Sequence, residues 1–193
     1  SIICFSFILF IDLFGIANRY IDMDRFVSAS SVEIPYKITE ADKIVLQDNS
    51  RYRVYEPGLG LNGSRTSFFH NSMGGYHGAK PRRFQEFYDF LNYNQIPELL
   101  NILNVKYVLY ESDKGLSPLI NEEAMGNAWF VDSIIKADSA DKALALLKTI
   151  NFKNEIIVEE DAAFDALNGN IKDQNASIDL IRNSPNKLEY LFE

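Results

Sequence analysis

Near its start the chain carries one run, from Ile2 to Ala17, that reads IICFSFILFIDLFGIA and holds a single charge, Asp12. So apolar a run is expelled from water and must lie in a core or in lipid. A bilayer-spanning helix needs about 20 apolar residues, whereas about 10–14 suit a buried helix or a signal-peptide core. No basic region precedes the run and no small-residue cleavage site follows it, so the signal-peptide reading is poor. Residues 1–18 are therefore expected to be the C-terminal part of a transmembrane helix, uncovered by the rest of the chain; the alternative is an ordinary core helix or buried strand. The following NRYIDMDRF offers Tyr20 and Phe26 for the headgroup level and only Arg19 and Arg25 as cations. The basic excess that marks cytoplasmic helix ends is missing, which points to the extracytoplasmic side.

Residues 19–193 have the hydrophobic content to pack a core, since 47% of the 193-residue chain is hydrophobic. A net charge of −8 disfavours nucleic acid as a partner. One cysteine, Cys4, lies inside the apolar run and can build neither a disulfide nor a cysteine-rich metal site within the chain. Along the sequence, ITEADKIVL reads as a short helix capped by Thr39, and RYRVYE alternates as a strand. From Glu56 to Pro81 comes a long stretch without regular signals that holds six of the ten glycines, and such a loop is more often functional than accidental.

Pro81 suits the first turn of a helix with Phe84, Phe87, Tyr88 and Leu91 on one face, and a shorter helix follows around Pro97–Leu103. VKYVLYE reads as an interior strand with both faces covered, SDKGLSP as a turn, and NAWFVDSIIKA as a strand or two. Ser139 caps a helix over DKALALLKTI, EIIVEE is a strand, and DAAFDALNGNIKDQN is loop or frayed helix. The end, ASIDLIRNSPNKLEYLFE, reads as a hairpin around Asn183–Asn186. This order predicts an α/β domain with a mixed sheet flanked by helices, in which only strands joined across a helix run parallel.

Four blocks, SFFHNSMGGYHGAKPRRFQEFYDF, LLNILNVKYVLY, GNAWFV and SIDLIRNSPNKLEYLFE, resemble in order and spacing the extracytoplasmic region of YfhO-like bacterial membrane proteins. IDLFGIANRYID resembles the end of the transmembrane helix before that region, so the resemblance covers nearly the whole chain. It implies a cell-membrane protein similar to glycosyltransferases that take a polyprenyl-phosphate-linked sugar as donor, with this domain on the extracytoplasmic side. It also implies that the catalytic acid lies in a loop outside this sequence, so no catalytic residue is carried over, and that the family continues beyond Glu193 into further β-structure. No cofactor is expected. The expected partners are the membrane and a lipid-linked sugar or envelope glycopolymer; the different-class alternative is a structural or protein-interaction domain without sugar binding.

The glycine-rich loop supplies the candidate ligand-binding residues His70, Asn71, Tyr76, His77, Lys80, Arg82 and Arg83. Glycines let backbone approach a ligand, and Lys80, Arg82 and Arg83 at a helix start could hold a phosphate or sugar hydroxyls. The opposing reading makes the glycines turns and pairs the cations with Glu86 and Asp89. His70 with His77 as metal ligands lacks a third ligand, and Ser72 with His77 as a nucleophilic pair lacks a G-x-S-x-G elbow and a placed acid. Glu122–Glu123 and Glu159–Glu160 read as solvated runs, and Trp129 with Phe130 as core residues before a stacking platform. Asn62-Gly63-Ser64 and Asn175-Ala176-Ser177 match the glycosylation acceptor pattern by chance.

Overall fold

The computed structural model describes residues 2–21, 24, 26–159 and 176–193. The chain divides into two compact units, Ser1–Lys37 and Ile38–Glu193. In the first, helix α1 covers Ile2–Tyr20 with no residue buried, and a single turn, α2, covers Ala29–Glu33. At about 1.5 Å per residue, the 19 residues of α1 measure about 28 Å, close to the roughly 30 Å of a hydrocarbon core. By length and composition α1 can cross a membrane. It runs two residues past the expected boundary at 18, and the division between compact units falls later still, after Lys37.

The second unit is α/β. It opens with α3, Glu40–Val45, whose N-cap Thr39 forms a capping box with Asp42, and proceeds to strand β1, Arg53–Tyr55. Helices α4 (Ser64–Phe69), α5 (Arg82–Asn94) and α6 (Glu98–Ile102) lead to β2, Val105–Ser112, which lies parallel to β1. β2 turns through Asp113 and Lys114 into antiparallel β3, Gly115–Ile120, completing a sheet of order β1-β2-β3. β4 (Ser133–Ala137), α7 (Ala140–Leu146) and β5 (Glu155–Glu159) form a second parallel pair, and β6 (Ile178–Ser184) with β7 (Lys187–Phe192) form the expected hairpin. Parallel pairs are those joined across helices, as the connection lengths require. The expected mixed sheet is β1-β2-β3, parallel on one side of β2 and antiparallel on the other, and the other described strands form two two-stranded sheets.

Four expectations are corrected. The stretch 56–81 is not without regular structure, because it contains a 3-10 turn at Gly60–Asn62 and α4. α4 is one short turn held by side-chain bonds to distant residues, so no local periodicity announces it. Part of SDKGLSP is strand: Gly115 takes a φ of +91° in the turn, and Pro118 is tolerated on β3, an outer strand of the sheet. β2 is interior to the sheet, but only Val105, Tyr107 and Leu109 are buried; Val108 is half-buried and Tyr110 is 46% exposed, so its second face is only partly covered. Of NAWFVDSIIKA, strand begins only at Ser133. The reading of residues 161–175 as loop or frayed helix lies outside the described residues.

Two buried clusters hold this unit. Ala41 and Val45 of α3 pack with Tyr52, Val54, Tyr107 and Leu109, while Tyr55, Leu61, Met73 and Val105 gather Phe84 and Tyr88 from α5. The outer edge of β1 is occupied by the glycine-rich loop: Val54 N–H donates to the Asn71 carbonyl at 2.9 Å and Met73 N–H to the Val54 carbonyl at 2.9 Å. Gly74 is required there, since a Cβ would sit 2.6 Å from the Leu61 carbonyl oxygen.

Candidate functional site

Thr39 and Asp42 begin the site because the capping box fixes both at the start of α3. Asp42 is fully buried, and its carboxylate accepts from Thr39 N–H at 2.8 Å, Thr39 hydroxyl at 2.7 Å and His70 Nε2–H at 3.0 Å. Arg65 of α4 forms an ion pair with the same carboxylate and reaches Glu56 at 3.1 Å, which also accepts from Thr66 hydroxyl at 2.7 Å. Burial alone would raise the Asp42 carboxyl, but the hydrogen bonds from Thr39 and His70, with the Arg65 charge, outweigh it and hold it below the ordinary value. The network closes on itself: no described buried side-chain polar atom lacks a partner.

A second polar knot lies at the end of α3. Asp48 pairs with Lys106 and accepts from Tyr107 hydroxyl at 3.0 Å. Lys106 and Ser50 pull its carboxyl far below the usual range. In turn, burial together with the Asp48 hydrogen bond pushes the Tyr107 phenol up to about 12.

Above these knots opens a cleft of about 560 Å³ whose lining includes Arg51, Arg53, Asn71, Asn127, Trp129 and Tyr190. Arg51 and Arg53 flank buried Tyr52 and reach the cleft, and their backbone is fixed by Asn104, whose amide group donates to the Arg51 carbonyl and whose carbonyl accepts from Arg53 N–H, each at 2.8 Å. Asn104 itself holds a left-handed φ of +54°, a conformation asparagine tolerates. Trp129 donates its indole N–H to the Phe152 carbonyl at 3.0 Å, which fixes the ring at the cleft's edge. Desolvation, and then the like charge of Arg51, lower the Arg53 guanidinium's pKa.

The candidates from the loop are not brought into one place. His70 and Asn71 line the cleft, although the His70 side chain is 1% exposed and committed to Asp42. Tyr76 is 83% exposed and His77 is exposed. Lys80 donates to Asn62 at 2.7 Å, Arg82 to Glu86 at 2.7 Å, and Arg83 makes a two-pronged pair with Glu159 at 2.9 and 3.2 Å. Of the pairs suggested by sequence, Arg82–Glu86 forms, while Asp89 is taken by Gln85. Ser72 accepts from Gly74 N–H at 3.1 Å, and no group of three or more metal-ligating side chains occurs among the described residues. Sequence reasoning overlooked Arg51 and Arg53, yet the alternation R-Y-R-V-Y, two cations on one strand face with apolar residues opposite, carries the signal.

Comparison with family models, with curated proteins and with solved structures finds no match.

Proposed function

We propose that the chain is a membrane-attached, non-catalytic domain of a glycosyltransferase-like protein, facing the extracytoplasmic side and helping to hold a lipid-linked sugar or envelope glycopolymer. The observation that carries the reading is α1, a 19-residue apolar helix without a buried residue. A core helix would be covered by its own chain, and this one leaves Phe5, Phe7, Phe10 and Phe14 more than half exposed. The resemblance of four sequence blocks to YfhO-like proteins supplies the sugar and the sidedness. The commitment of His70 to Asp42, and of Ser72 to Gly74, favours a holding role over hydrolysis.

Membrane attachment is tested by flotation of the full chain with lipid after alkaline extraction. It should float, and Phe7→Arg with Phe10→Arg should release it, since an arginine at a helix centre costs about 2.5–3.5 kcal/mol on insertion scales. A parent chain left in the soluble fraction would overturn the reading. Protease accessibility in intact spheroplasts reads the sidedness.

An interaction domain without sugar binding is the second reading. It is favoured by an open groove of about 730 Å³ lined by Phe87 of α5, Ala143, Leu144 and Leu147 around α7, and Ile156 of β5.

A further inference from the structure

We infer that the Arg51–Arg53 cleft is a binding site for an anionic sugar, with both guanidinium groups on its phosphate or carboxylate and Asn71, Asn127 and Trp129 against its ring. The inference rests on the reading of this domain as one that holds a saccharide, and it names the place and the ligand chemistry. It does not depend on how the chain attaches to a membrane.

The charge pattern is the first support. This chain has 27 acidic residues against 19 basic ones, so carboxylates are plentiful. The other arginines of the second unit each have one: Arg65 with Asp42 and Glu56, Arg82 with Glu86, Arg83 with Glu159, and Arg182 with Glu189. Arg51 and Arg53 have none among the described residues, and no Asp or Glu lines their cleft. Asp179 lines the adjoining hollow beneath β6 together with Arg51, without forming an ion pair with it. Arg51 and Arg53 both remain exposed to solvent, so the recess is open, yet two neighbouring guanidinium groups without a carboxylate repel each other; the lowered Arg53 value reports desolvation first and that repulsion second. A bound oxyanion relieves both, because the planar fork of arginine matches phosphate or carboxylate with paired hydrogen bonds.

The remainder of the lining excludes a bare anion as the best fit. Asn71 offers a neutral amide donor and acceptor, and Asn127, whose side-chain carbonyl already accepts from Asn104 at 3.4 Å, offers its amide N–H groups; these match hydroxyls around a ring. Trp129 has its N–H committed to Phe152, so what remains for a ligand is aromatic surface. A recess of about 560 Å³ lies within the range of about 300–1,000 Å³ typical of small-molecule sites. Cation pair, amides and aromatic wall together describe a hydroxylated ring that carries one oxyanion.

Trp129 is the chain's single tryptophan and lies in this cleft, so its fluorescence is a direct reporter. The full chain, in phosphatidylcholine nanodiscs or, where it does not float with lipid, free in buffer, is titrated with glucose 1-phosphate, glucuronate, methyl glucoside and inorganic phosphate. Saturable change with glucose 1-phosphate or glucuronate is expected, about tenfold tighter than with methyl glucoside or inorganic phosphate. The two anionic sugars separate a phosphate from a carboxylate ligand. Arg51→Ala with Arg53→Ala should abolish the response; Arg51→Lys with Arg53→Lys, which keeps charge and loses the fork, should weaken it less. Lys142→Ala with Lys153→Ala removes the same charge elsewhere and should leave it intact.

No saturable change up to about 10 mM, well above a millimolar dissociation constant, would overturn the site. So would equal affinity for inorganic phosphate, or full binding by the alanine pair with an unaltered melting curve. Failure of the flotation test would remove the membrane reading and leave this titration standing, so the two failures are distinguishable.

Discussion

Replacing Asp42 by Asn tests whether the buried network holds α3 to the loop. The substitution keeps the shape of the side chain, removes its charge, and turns one acceptor into a donor facing Arg65 or His70. Removing one partner of a buried ion pair costs about 3–5 kcal/mol, and Arg65 keeps Glu56 at 3.1 Å, so the lower end, about 3 kcal/mol, is expected. For a protein of this size each kcal/mol shifts the midpoint by about 2–4 °C, so the variant should melt about 6–12 °C below the parent. Thermal unfolding of the full chain in micelles, followed by Trp129 fluorescence and far-ultraviolet circular dichroism, measures it. Glu40→Gln, at an exposed pair on the same helix, should stay within about 0.5 kcal/mol. An Asp42→Asn variant melting within about 2 °C of the parent would refute a stabilising role for the network.

Asp42 and Asp48 both have folded values below the ordinary one, so their contribution is full above about pH 4 and is lost as pH falls through the folded values; acid melts should show the loss, reduced in Asp48→Asn. Tyr107 has its folded value raised to about 12, so the stabilisation tied to its neutral form is complete below about pH 10 and is lost as pH rises through about 12, which alkaline melts with phenolate absorbance can follow. Leu109→Ala removes a fully buried side chain and should cost about 2–5 kcal/mol in urea unfolding. Arg82→Ala with Arg83→Ala breaks two exposed ion pairs and should change stability by about 1 kcal/mol or less; a larger loss would mean that the Glu159 pair anchors α5 to β5.

Local signals carried most of the element types. Thr39 and Ser139 announce their helices because the capping oxygen and the amides it accepts from are neighbours in sequence. The hairpin turn at Pro185–Asn186 is likewise spelled out by its residues. What could not be read is whatever depends on distant partners. α4 is a turn secured by Arg65 and Thr66 reaching Asp42 and Glu56, and no periodicity encodes that reach. Which of the described strands pair with which is a tertiary outcome that strand pattern does not specify. At the site, glycine content drew attention to His70–Arg83, where His70 became a buried brace and the cations found surface partners. The two arginines of the second unit without a carboxylate partner among the described residues lie earlier, at positions 51 and 53, where only the alternation into a very short strand marks them.

The capping box of α3 has a kinetic consequence. Its carboxylate is also the acceptor for Arg65 and His70, which lie 23 and 28 residues further along the chain. A helix of six residues is too short to persist alone in water, so α3 gains its stability only when that later segment has arrived. The helix start, α4 and the strip of loop beside β1 are therefore expected to open and close as one cooperative block, in place of fraying from the helix end. In native-state hydrogen exchange, the amides of Thr39 and Met73 should exchange with a common opening free energy, although 34 positions separate them in sequence.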